Sequence, residues 1–402
     1  MNLLFIHEVN WKRKVRYEIH ELPELLSLNG HDVQFLDFPE DTSRSGWHKM
    51  FQFRTEISDV LSHTYNASRV RVVTPGKCGP FPLDRLLASF TFVPELIRVL
   101  RSNHIDVVIL YGVPTNGWQT ILIARYFQIP VIYRALDISH LIRKTKFKRL
   151  VRVAERFIYR NASWISANNQ VLRTYCIENG GKRENSSVDY PGLEKSHFQF
   201  SEPDSSLMYD LDLSETDVVA IFLGTLFSFC GLDRVIEDLA TFNKKGRVKL
   251  LIVGDGEYRA TLEHLSKQLG LDDQVMFVGQ IDFKELKRYL SVSQVAIVPF
   301  QPSLVADAAF PWKVVQYIAA GLPVVATPLA GLLTVFPEGQ GVTYVETSHN
   351  LIQKLYEITQ SQEKSHQIVS RGQAIVQEKF LWKTNIKKFE SLFESFVQQK
   401  SI

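Results

Sequence analysis

Short apolar runs alternate with segments of helical periodicity along most of the chain. The runs are hydrophobic on both faces, which is typical of parallel strands buried between two layers of helices. They cover residues 3–9, 32–37, 69–74, 106–111, 130–134 and 164–168 in the first half, and residues 218–224, 248–254, 275–279, 295–300 and 323–327 in the second. Because helical segments separate the strands, each set predicts right-handed βαβ units and a doubly wound parallel sheet. The predicted fold class is α/β with two Rossmann-like domains.

A turn-rich segment without clear periodicity, residues 191–206, separates the two sets of strands. We therefore predict an N-terminal domain over residues 1–192, a hinge over 193–206 and a C-terminal domain over 207–375. The last segment, 376–402, has the apolar spacing of a helix, and we expect it to cross back onto the first domain. We also expect the two domains to face each other across a cleft.

Glycines follow several of the predicted strands, at the places where open α/β sheets bind ligands. Gly112 follows a strand of the first half, and Gly224, Gly254 with Gly256, and Gly279 follow strands of the second. A glycine there lets backbone N–H groups approach a phosphate closely. The chain lacks both G-x-G-x-x-G and G-x-x-x-x-G-K-[ST], which argues against a nicotinamide-dependent dehydrogenase and a P-loop nucleotidase.

The composition is that of an ordinary globular protein, with 402 residues, 45% of them hydrophobic and 22% charged. No apolar run approaches the roughly 20 residues that span a bilayer, and we interpret the first residues as a strand, not a signal peptide. Cys78, Cys176 and Cys230 lack metal-binding spacing, and no Asp-x-Asp motif or histidine cluster lies in a suitable loop. We expect a cytoplasmic protein without a metal or another cofactor.

The net charge of +3 is unevenly distributed. Residues 1–200 hold 27 Lys and Arg against 19 Asp and Glu, whereas the remainder holds 19 against 24. The basic first half suits an anionic acceptor or an anionic membrane surface, although uneven surface solvation explains it equally well. Basic residues concentrate in the loop 12–16 and in the segment 141–160. The latter predicts an amphipathic helix that either buries its apolar stripe in the core or lies on a bilayer.

The second half contains an ordered series of motifs. In chain order they are IFLG ending at Gly224, GLD from Gly231, LIVGDG ending at Gly256, VMFVG ending at Gly279, and PWKVVQYIAAGLPVVAT from Pro311. With these motifs the chain resembles the retaining glycosyltransferases of family 4, the glycosyl transferases group 1, which have the two-domain GT-B fold. The resemblance is strongest from Val218 to Gly331 and extends loosely over nearly the whole chain. It fits the branch that reads Pro-x-Lys-x-x-Glu-Tyr in the last motif, with Gln for Glu.

The departures from the family pattern fall at charged positions. The family's Arg and Lys, which neutralise the donor diphosphate, correspond to Thr225 and Cys230. Of the family's two glutamates, the first falls beside Asp307 and the second at Gln316. The family's histidine near the end of an N-domain strand is missing, although the acid expected after it is present as Asp137.

The resemblance and the residue chemistry suggest roles for several polar residues of the second half. Lys313 is a candidate for the missing cation, Gln316 for hydrogen bonds to the ribose hydroxyls, and Asp307 for hydrogen bonds to the sugar. Each has an ordinary alternative: a surface lysine, a solvated glutamine and a loop acid. The predicted donor-binding residues are Gly224, Thr225, Gly254, Asp255, Gly256, Gly279, Pro311, Lys313 and Gln316.

Charged and titratable residues also end two strands of the first half. We expect Arg134 to face the cleft and to replace the missing cation, with Asp137 close behind it. His7 and Glu8 end the first strand and are candidates for acceptor binding or proton transfer, although a histidine in a strand is more often a satisfied core residue. The predicted catalytic residues are Asp307, Lys313, Arg134, Asp137 and His7.

Together these features predict a retaining enzyme that moves a hexose-type sugar from a nucleotide-diphosphate sugar to a hydroxyl group. The acceptor is expected to be a cell-surface glycan or a lipid-linked saccharide, as in polysaccharide biosynthesis. The expected partners are this donor, this acceptor and, peripherally, an anionic membrane, but no nucleic acid. Two other functions stay open. One is a catalytically silent GT-B protein that binds a partner or a glycan, and the charge substitutions favour it. The other is a sugar-nucleotide epimerase.

Overall fold

The computed structural model describes residues 1–12, 14, 16–39, 51–57, 64–65, 67–78, 84–143, 145–198, 202–242 and 248–400. The chain forms two compact units. The first consists of Met1–Gly192 with Lys383–Ile402, and the second of Leu193–Trp382. Each unit is built on a parallel sheet with helices between its strands.

The first unit contains ten strands and six helices that precede the boundary, in the part of the chain that the structure describes. The strands are β1 (Asn2–Ile6), β2 (Asp32–Leu36), β3 (Phe51–Gln52), β4 (Thr55–Ile57), β5 (Val70–Thr74), β6 (Lys77–Cys78), β7 (Val107–Leu110), β8 (Val131–Ala135), β9 (Trp164–Ala167) and β10 (Ser186–Val188). The helices are α1 (Glu18–Leu28), α2 (Asp84–Ser102), α3 (Gly117–Tyr126), α4 (Ser139–Ile142), α5 (Lys148–Asn161) and α6 (Gln170–Glu178).

Eight of these strands form one sheet in the order β10-β9-β8-β7-β1-β2-β5-β4. Its pairs are parallel apart from β4, which runs antiparallel to β5. β3 and β6 form a separate antiparallel pair. The central strand β1 is fully buried from Leu3 to Ile6, which explains why its sequence is apolar at successive positions and not only at alternate ones. The carboxyl ends of β1, β7, β8 and β9 lie at one edge of this sheet.

The second unit contains six strands and nine helices among its described residues. The strands are β11 (Val218–Leu223), β12 (Val248–Val253), β13 (Val275–Gly279), β14 (Val295–Val298), β15 (Val324–Ala326) and β16 (Val342–Tyr344). The helices are α7 (Ser205–Asp210), α8 (Leu232–Phe242), α9 (Arg259–Gln268), α10 (Leu286–Ser291), α11 (Leu304–Ala308), α12 (Lys313–Ala319), α13 (Ala330–Leu333), α14 (Leu351–Thr359) and α15 (Gln362–Lys379). The sheet order is β13-β12-β11-β14-β15-β16, parallel throughout.

All eleven apolar runs predicted as strands are strands of the two main sheets, so the predicted fold class is confirmed. The prediction missed β3, β4, β6, β10 and β16, which have only two or three residues each. A run that short carries too few positions for periodicity to be recognised.

The C-terminal segment is two helices, not one. α15 ends at Lys379, and after Phe380 and Leu381 the chain continues in α16 (Trp382–Lys400). From Lys383 onward α16 belongs to the first unit, where Asn385 Nδ2 donates to the carbonyl oxygens of Tyr190 and Pro191 at 3.1 Å. None of the described helices is both long enough and apolar enough to span a membrane.

Candidate functional site

Three glycines meet at the carboxyl edge of the second sheet. Gly224, Gly254 and Gly279 all have positive φ angles, of 123°, 143° and 83°. The Gly254 N–H donates to the Gly279 carbonyl at 2.8 Å, and a Cβ atom on Gly254 would lie 2.0 Å from the Gly224 carbonyl oxygen. No side chain fits at Gly254. At Gly279 a Cβ atom would lie 3.0 Å from Arg259 Nη1, so a guanidinium lies beside that strand end. Gly224, Gly254 and Gly279 thus follow three neighbouring strands at one edge of the sheet.

Asp255 shapes the turn between two of the predicted donor-binding glycines. Its Oδ1 accepts from the Gly256 N–H at 2.7 Å, and its Oδ2 lies 3.4 Å from Arg259 Nη1. Gly256 itself packs against the backbone of Leu226, since a Cβ atom there would lie 2.4 Å from the Leu226 carbonyl oxygen. The carboxylate of Asp255, predicted to bind the donor, is therefore engaged in the local structure of the turn.

Lys313 lies beside this glycine edge without an anionic partner. It is the first residue of α12, and its Nζ lies 3.8 Å from the centroid of the Phe222 ring and 4.9 Å from that of Phe300. A Cβ atom built on Gly224 would lie 2.9 Å from Nζ. Within the described residues the ammonium has no carboxylate and no hydrogen-bond acceptor, only aromatic faces. Burial lowers the pKa of Lys313 to about 8. An unneutralised cation at a bare backbone edge is suited to bind an anion.

In the loop after β11, the uncharged residues Thr225 and Cys230 occupy the two positions at which the family has cations. Thr225 is exposed, and its carbonyl oxygen accepts from Cys230 Sγ at 3.4 Å. Burial raises the pKa of the Cys230 thiol, which therefore stays neutral. Gly231 follows with a φ of 70°, and a Cβ atom there would lie 2.0 Å from the Pro299 carbonyl oxygen. Among the described residues, the cation within 4 Å of a Cβ atom built on Gly224 is Lys313.

Tyr317 fixes α12 against the end of β11, and the sequence analysis gave it no role. Its buried hydroxyl accepts from the Leu223 N–H at 2.7 Å. This bond holds the helix that carries Lys313 and Gln316 next to β11, the strand that Gly224 follows. The signal was available, because Tyr317 occupies the tyrosine position of the Pro-x-Lys-x-x-Glu-Tyr motif. Pro311 is buried and precedes the helix, as expected of a proline near a helix start.

Gln316 and Asp307 differ in how much of their hydrogen-bonding capacity is already used. The half-buried Gln316 amide has no hydrogen-bond partner among the described residues. Gln316 is three positions after Lys313, so both project from one side of α12. Asp307 Oδ1 accepts from the Ala330 N–H at 2.8 Å and so joins α11 to the start of α13. Asp307 therefore has a structural role, with one carboxylate oxygen left over.

The structure contradicts the expectation that Arg134 is an open cation. Its side chain is 1% exposed and lies in the interior of the first unit. Nε and Nη2 donate to the two carboxylate oxygens of Glu18 at 2.7 and 2.8 Å, and Nη1 donates to Ser166 Oγ at 3.1 Å. A buried guanidinium with a bidentate partner is neither accessible nor uncompensated. Arg134 is a structural residue, and the sequence analysis missed Glu18.

A second group of titratable residues lies at the carboxyl edge of the first sheet. Glu8 Oε1 accepts from the N–H groups of Val113 and Thr115 at 3.0 and 2.6 Å, and its Oε2 accepts from Arg143. Burial raises the pKa of the Asp137 carboxyl, and the positive charge of Arg143 offsets part of this increase. Glu8 therefore anchors the loop after β7 and is unavailable as a free base.

His7 is the unsatisfied member of that group. Its Nδ1 is buried and has no hydrogen-bond partner among the described residues. Burial, followed by the positive charges of Lys14 and Arg143, lowers the pKa of His7 to about 3. The imidazole is therefore neutral at physiological pH and can accept a hydrogen bond. In the neighbouring basic loop, Arg16 donates to Glu21, and Arg13 lies outside the described residues.

These features define a two-unit α/β protein of the GT-B class, with a lysine that lacks an anionic partner beside the glycine edge of the second unit. Comparison with known families agrees. Residues 207–374 match the family of glycosyl transferases group 1, and residues 15–191 match the glycosyl transferase 4-like domain. The second unit therefore contains a glycosyl transferases group 1 domain, and the first contains a glycosyl transferase 4-like domain.

Similar proteins have low sequence identity to this chain, and two solved structures share its fold. The glycosyltransferase MJ1069 of Methanocaldococcus jannaschii is 22% identical over 60% of this chain and 61% of its own length. N-acetyl-alpha-D-glucosaminyl L-malate synthase of Bacillus anthracis is 21% identical over 93% of this chain and 91% of its own length. Sucrose-phosphate synthase of Thermosynechococcus elongatus superposes with a TM-score of 0.77 at 18% identity and covers 99% of both chains. Anabaena HepE, solved with UDP-glucose, has a TM-score of 0.74 at 20% identity and covers 98% of this chain and 100% of its own.

Proposed function

We propose that the protein transfers a hexose-type sugar from a nucleotide-diphosphate sugar to a hydroxyl group, with retention of the configuration at the sugar carbon. The observation that carries the proposal is the position of Lys313. Its ammonium lies on two aromatic faces beside Gly224 and has no counterion in the described part of the chain. A donor diphosphate is the anion that a group 1 domain meets at this edge.

Lys313 then takes the place of the two cations that the family has in the loop after β11. As the bond between the sugar carbon and the diphosphate breaks, negative charge accumulates on the leaving group, and a fixed ammonium stabilises it. The backbone N–H groups around Gly224 and the Thr225 hydroxyl supply neutral donors to the same oxygens. A single charge in place of two predicts weaker stabilisation of the leaving group than in relatives that have both.

The free amide of Gln316 is proposed to bind the ribose hydroxyls, since an amide can both donate and accept. The remaining oxygen of Asp307 is proposed to accept from a sugar hydroxyl. In the first unit, the neutral His7 and the buried Asp137 are proposed to contact the acceptor at the carboxyl edge of that unit's own sheet. No metal is included in this proposal, because Lys313 takes the role of neutralising the diphosphate.

The names of similar proteins indicate where to look for the donor and the acceptor. HepE was solved with UDP and with UDP-glucose. Two relatives are named as N-acetylglucosamine transferases, one for lipopolysaccharide and one for 2-deoxystreptamine. We propose a UDP-sugar as the first donor to test and a glycan or lipid-linked saccharide as the acceptor. The protein is proposed to be cytoplasmic and to contact an anionic membrane through its basic first unit.

The test is a thermal-shift panel of UDP, GDP, ADP and dTDP sugars, followed by isothermal titration with the best ligand. We expect one base to raise the melting temperature, and Lys313→Ala to remove most of this shift. Lys267→Ala is the matched control, because Lys267 is an exposed lysine on α9 of the same unit. Incubation with the selected donor and an acceptor extract, read by NMR of the new anomeric proton, then tests transfer and retention. If the protein binds the donor but neither transfers its sugar nor hydrolyses it, the result would favour a catalytically silent protein.

A further inference from the structure

We propose that the first unit binds a phosphate ester of a small organic molecule in a cleft at the amino edge of its sheet, which we call the amino-edge cleft. The cleft has a volume of about 570 Å³ and lies where β8 and β9 begin. The last turns of α3 and α5 line it, together with Lys182 and Asn185 ahead of β10 and Phe396 of α16. The proposal is independent of the proposed function, because it uses none of the residues assigned there to the donor or the acceptor.

Three cations line the amino-edge cleft. They are Arg125 of α3, Arg160 of α5 and Lys182, and all three side chains are exposed. Within the described part of the chain none of the three forms an ion pair or a side-chain hydrogen bond, and no carboxylate lines the cleft. A concave surface with uncompensated positive charge attracts anions. The ligand that fits it therefore carries negative charge.

Other arginines of the same unit do have carboxylate partners. Arg134 pairs with Glu18, and Arg143 pairs with Glu8. In both pairs the carboxylate is almost fully buried, so the arginine neutralises a charge inside the unit. The cations of the amino-edge cleft have no such function, and their charge is available to a ligand.

Two of the three cations also offset helix dipoles, but this uses only part of their charge. Arg125 lies in the last turn of α3 and Arg160 in the last turn of α5. Each helix end carries about half a negative charge, so the two ends together neutralise about one cation. Lys182 lies beyond the end of α6 at Glu178 and belongs to no helix. The potential in the cleft therefore stays positive.

A glycine turn after α6 holds Arg160 at the wall of the cleft. Gly180 has a φ of 119°, and a Cβ atom built there would lie 2.7 Å from both Cγ and Nε of Arg160. Only a glycine leaves room for the arginine side chain at this position. The chain then turns at Lys182, whose carbonyl oxygen accepts from the Asn185 N–H at 3.2 Å. The turn therefore brings Lys182 to the wall against which Arg160 packs.

The neutral groups of the cleft suit an organic phosphate better than a bare ion. Ser163 Oγ accepts from the Val131 N–H at 3.1 Å and keeps its own hydrogen to donate. The Asn185 amide has no hydrogen-bond partner among the described residues. Pro130 and the ring of Phe396 add apolar surface. Because arginine binds phosphate bidentately and the volume is that of a small-molecule site, we expect the phosphate at the cations and the organic group against the apolar surface.

The amino-edge cleft is separate from the other two sites. β8 begins at Val131, which lines the cleft, and ends at Ala135, two residues before Asp137. A strand of this length spans about 16 Å, so a ligand in the cleft does not reach the carboxyl edge. Lys313 belongs to the second unit. Binding in the cleft must therefore survive the loss of Lys313.

Isothermal titration tests the proposal with two phosphate esters, glucose-6-phosphate and AMP, and with glucose and adenosine as their neutral counterparts. We expect at least one ester to bind and its neutral counterpart not to bind at the same concentration. The double variant Arg125→Gln/Arg160→Gln should raise the dissociation constant on the order of a hundredfold, at about tenfold per charge-assisted contact. Lys182→Gln should raise it on the order of tenfold.

The matched control is Arg149→Gln/Arg152→Gln. It removes two exposed arginines of α5 that do not line the cleft, and it should bind the ester like the wild type. Thermal unfolding shows whether a variant is folded. Since Arg160 packs against Gly180, the double variant can lose some stability. Lys182→Gln changes an exposed side chain without such packing and should unfold like the wild type, so its loss of affinity reports the charge alone.

Chemical acetylation of lysines, read by mass spectrometry, locates the bound ester. The ester should slow acetylation of Lys182 but not of Lys148, an exposed lysine of α5 that does not line the cleft. Lys313→Met should bind the ester like the wild type while it loses affinity for UDP, so a failure of this proposal and a failure of donor binding are separate results. Three results would overturn the proposal: no binding of either ester, unchanged binding in the double variant, or loss of binding in Lys313→Met. The last would assign the ester to the glycine edge of the second unit.

Discussion

Replacing Lys313 by methionine removes the charge and keeps an unbranched side chain between the rings of Phe222 and Phe300. We expect the affinity for UDP, or for whichever nucleoside diphosphate the panel selects, to fall by about 1.5–3 kcal/mol, the usual contribution of a charge-assisted hydrogen bond. That corresponds to about 10- to 150-fold in the dissociation constant. The affinity for the nucleoside without phosphates should not change.

The same substitution should stabilise the protein without ligand. The pKa of Lys313 is lowered from 10.5 to about 8 because burial disfavours the charged form. Below pH 8 both the folded and the unfolded chain carry the proton, so folding bears the full cost of burying the ammonium. Between pH 8 and 10.5 the unfolded chain holds more protons, and stability rises with pH. Lys313→Met removes this dependence and should add about 1–3 kcal/mol near neutral pH.

The third test of Lys313 is isothermal titration at pH values on both sides of its pKa of about 8. In the wild type the affinity for the diphosphate should decline as the pH rises through this value, because only the protonated amine binds it well. Lys313→Arg should keep its affinity over the same range, since arginine stays charged. Lys267→Met is the matched control and should change none of these quantities. Equal losses for diphosphate and nucleoside, or a pH-independent affinity in the wild type, would refute the assignment of Lys313 to the phosphates.

Three further outcomes test the structural assignments. Gly254→Ala should destabilise the second unit by about 1–3 kcal/mol in chemical denaturation, because its φ of 143° and the carbonyl oxygen 2.0 Å away leave no room for a methyl group; unchanged stability would contradict the close backbone approach. Tyr317→Phe should lower the free energy of unfolding by about 1–3 kcal/mol by leaving a buried N–H unpaired, and should weaken diphosphate binding as α12 becomes less firmly held. A loss of stability with unchanged diphosphate affinity would show that Tyr317 does not position the site. Arg134→Met should cost about 3–5 kcal/mol by leaving Glu18 as an unpaired buried charge, while diphosphate affinity measured at a permissive temperature stays unchanged; a selective loss of affinity would restore Arg134 to the site.

The second unit was the more predictable one, for identifiable reasons. Strands buried on both faces are continuous apolar runs, and parallel strands place their following residues at one edge, so Gly224, Gly254 and Gly279 could be grouped in advance. Lys313 could be named because it lies inside the motif that forms this edge. Neither inference required knowledge of any particular side-chain contact.

The first unit shows where such reasoning stops. Arg134 ends a strand at the predicted edge, as expected, yet its guanidinium turns inward to Glu18, which is 116 residues away in the sequence. Periodicity gives the face on which a residue lies, but a strand buried on both faces offers no polar face to distinguish. Whether a charge at its end turns outward depends on whether another element supplies a counterion, and α1 does so here.

The sequence alone thus determined the two parallel sheets, their order along the chain and the edge where backbone is left bare, because these follow from local periodicity and from the conformational freedom of glycine. Only the tertiary structure decided which cations are free. It buries Arg134 against a carboxylate and places Lys313 between two rings with none. The physical reason is that the availability of a charge or an apolar side chain is a property of its neighbours, and those neighbours come from distant parts of the chain.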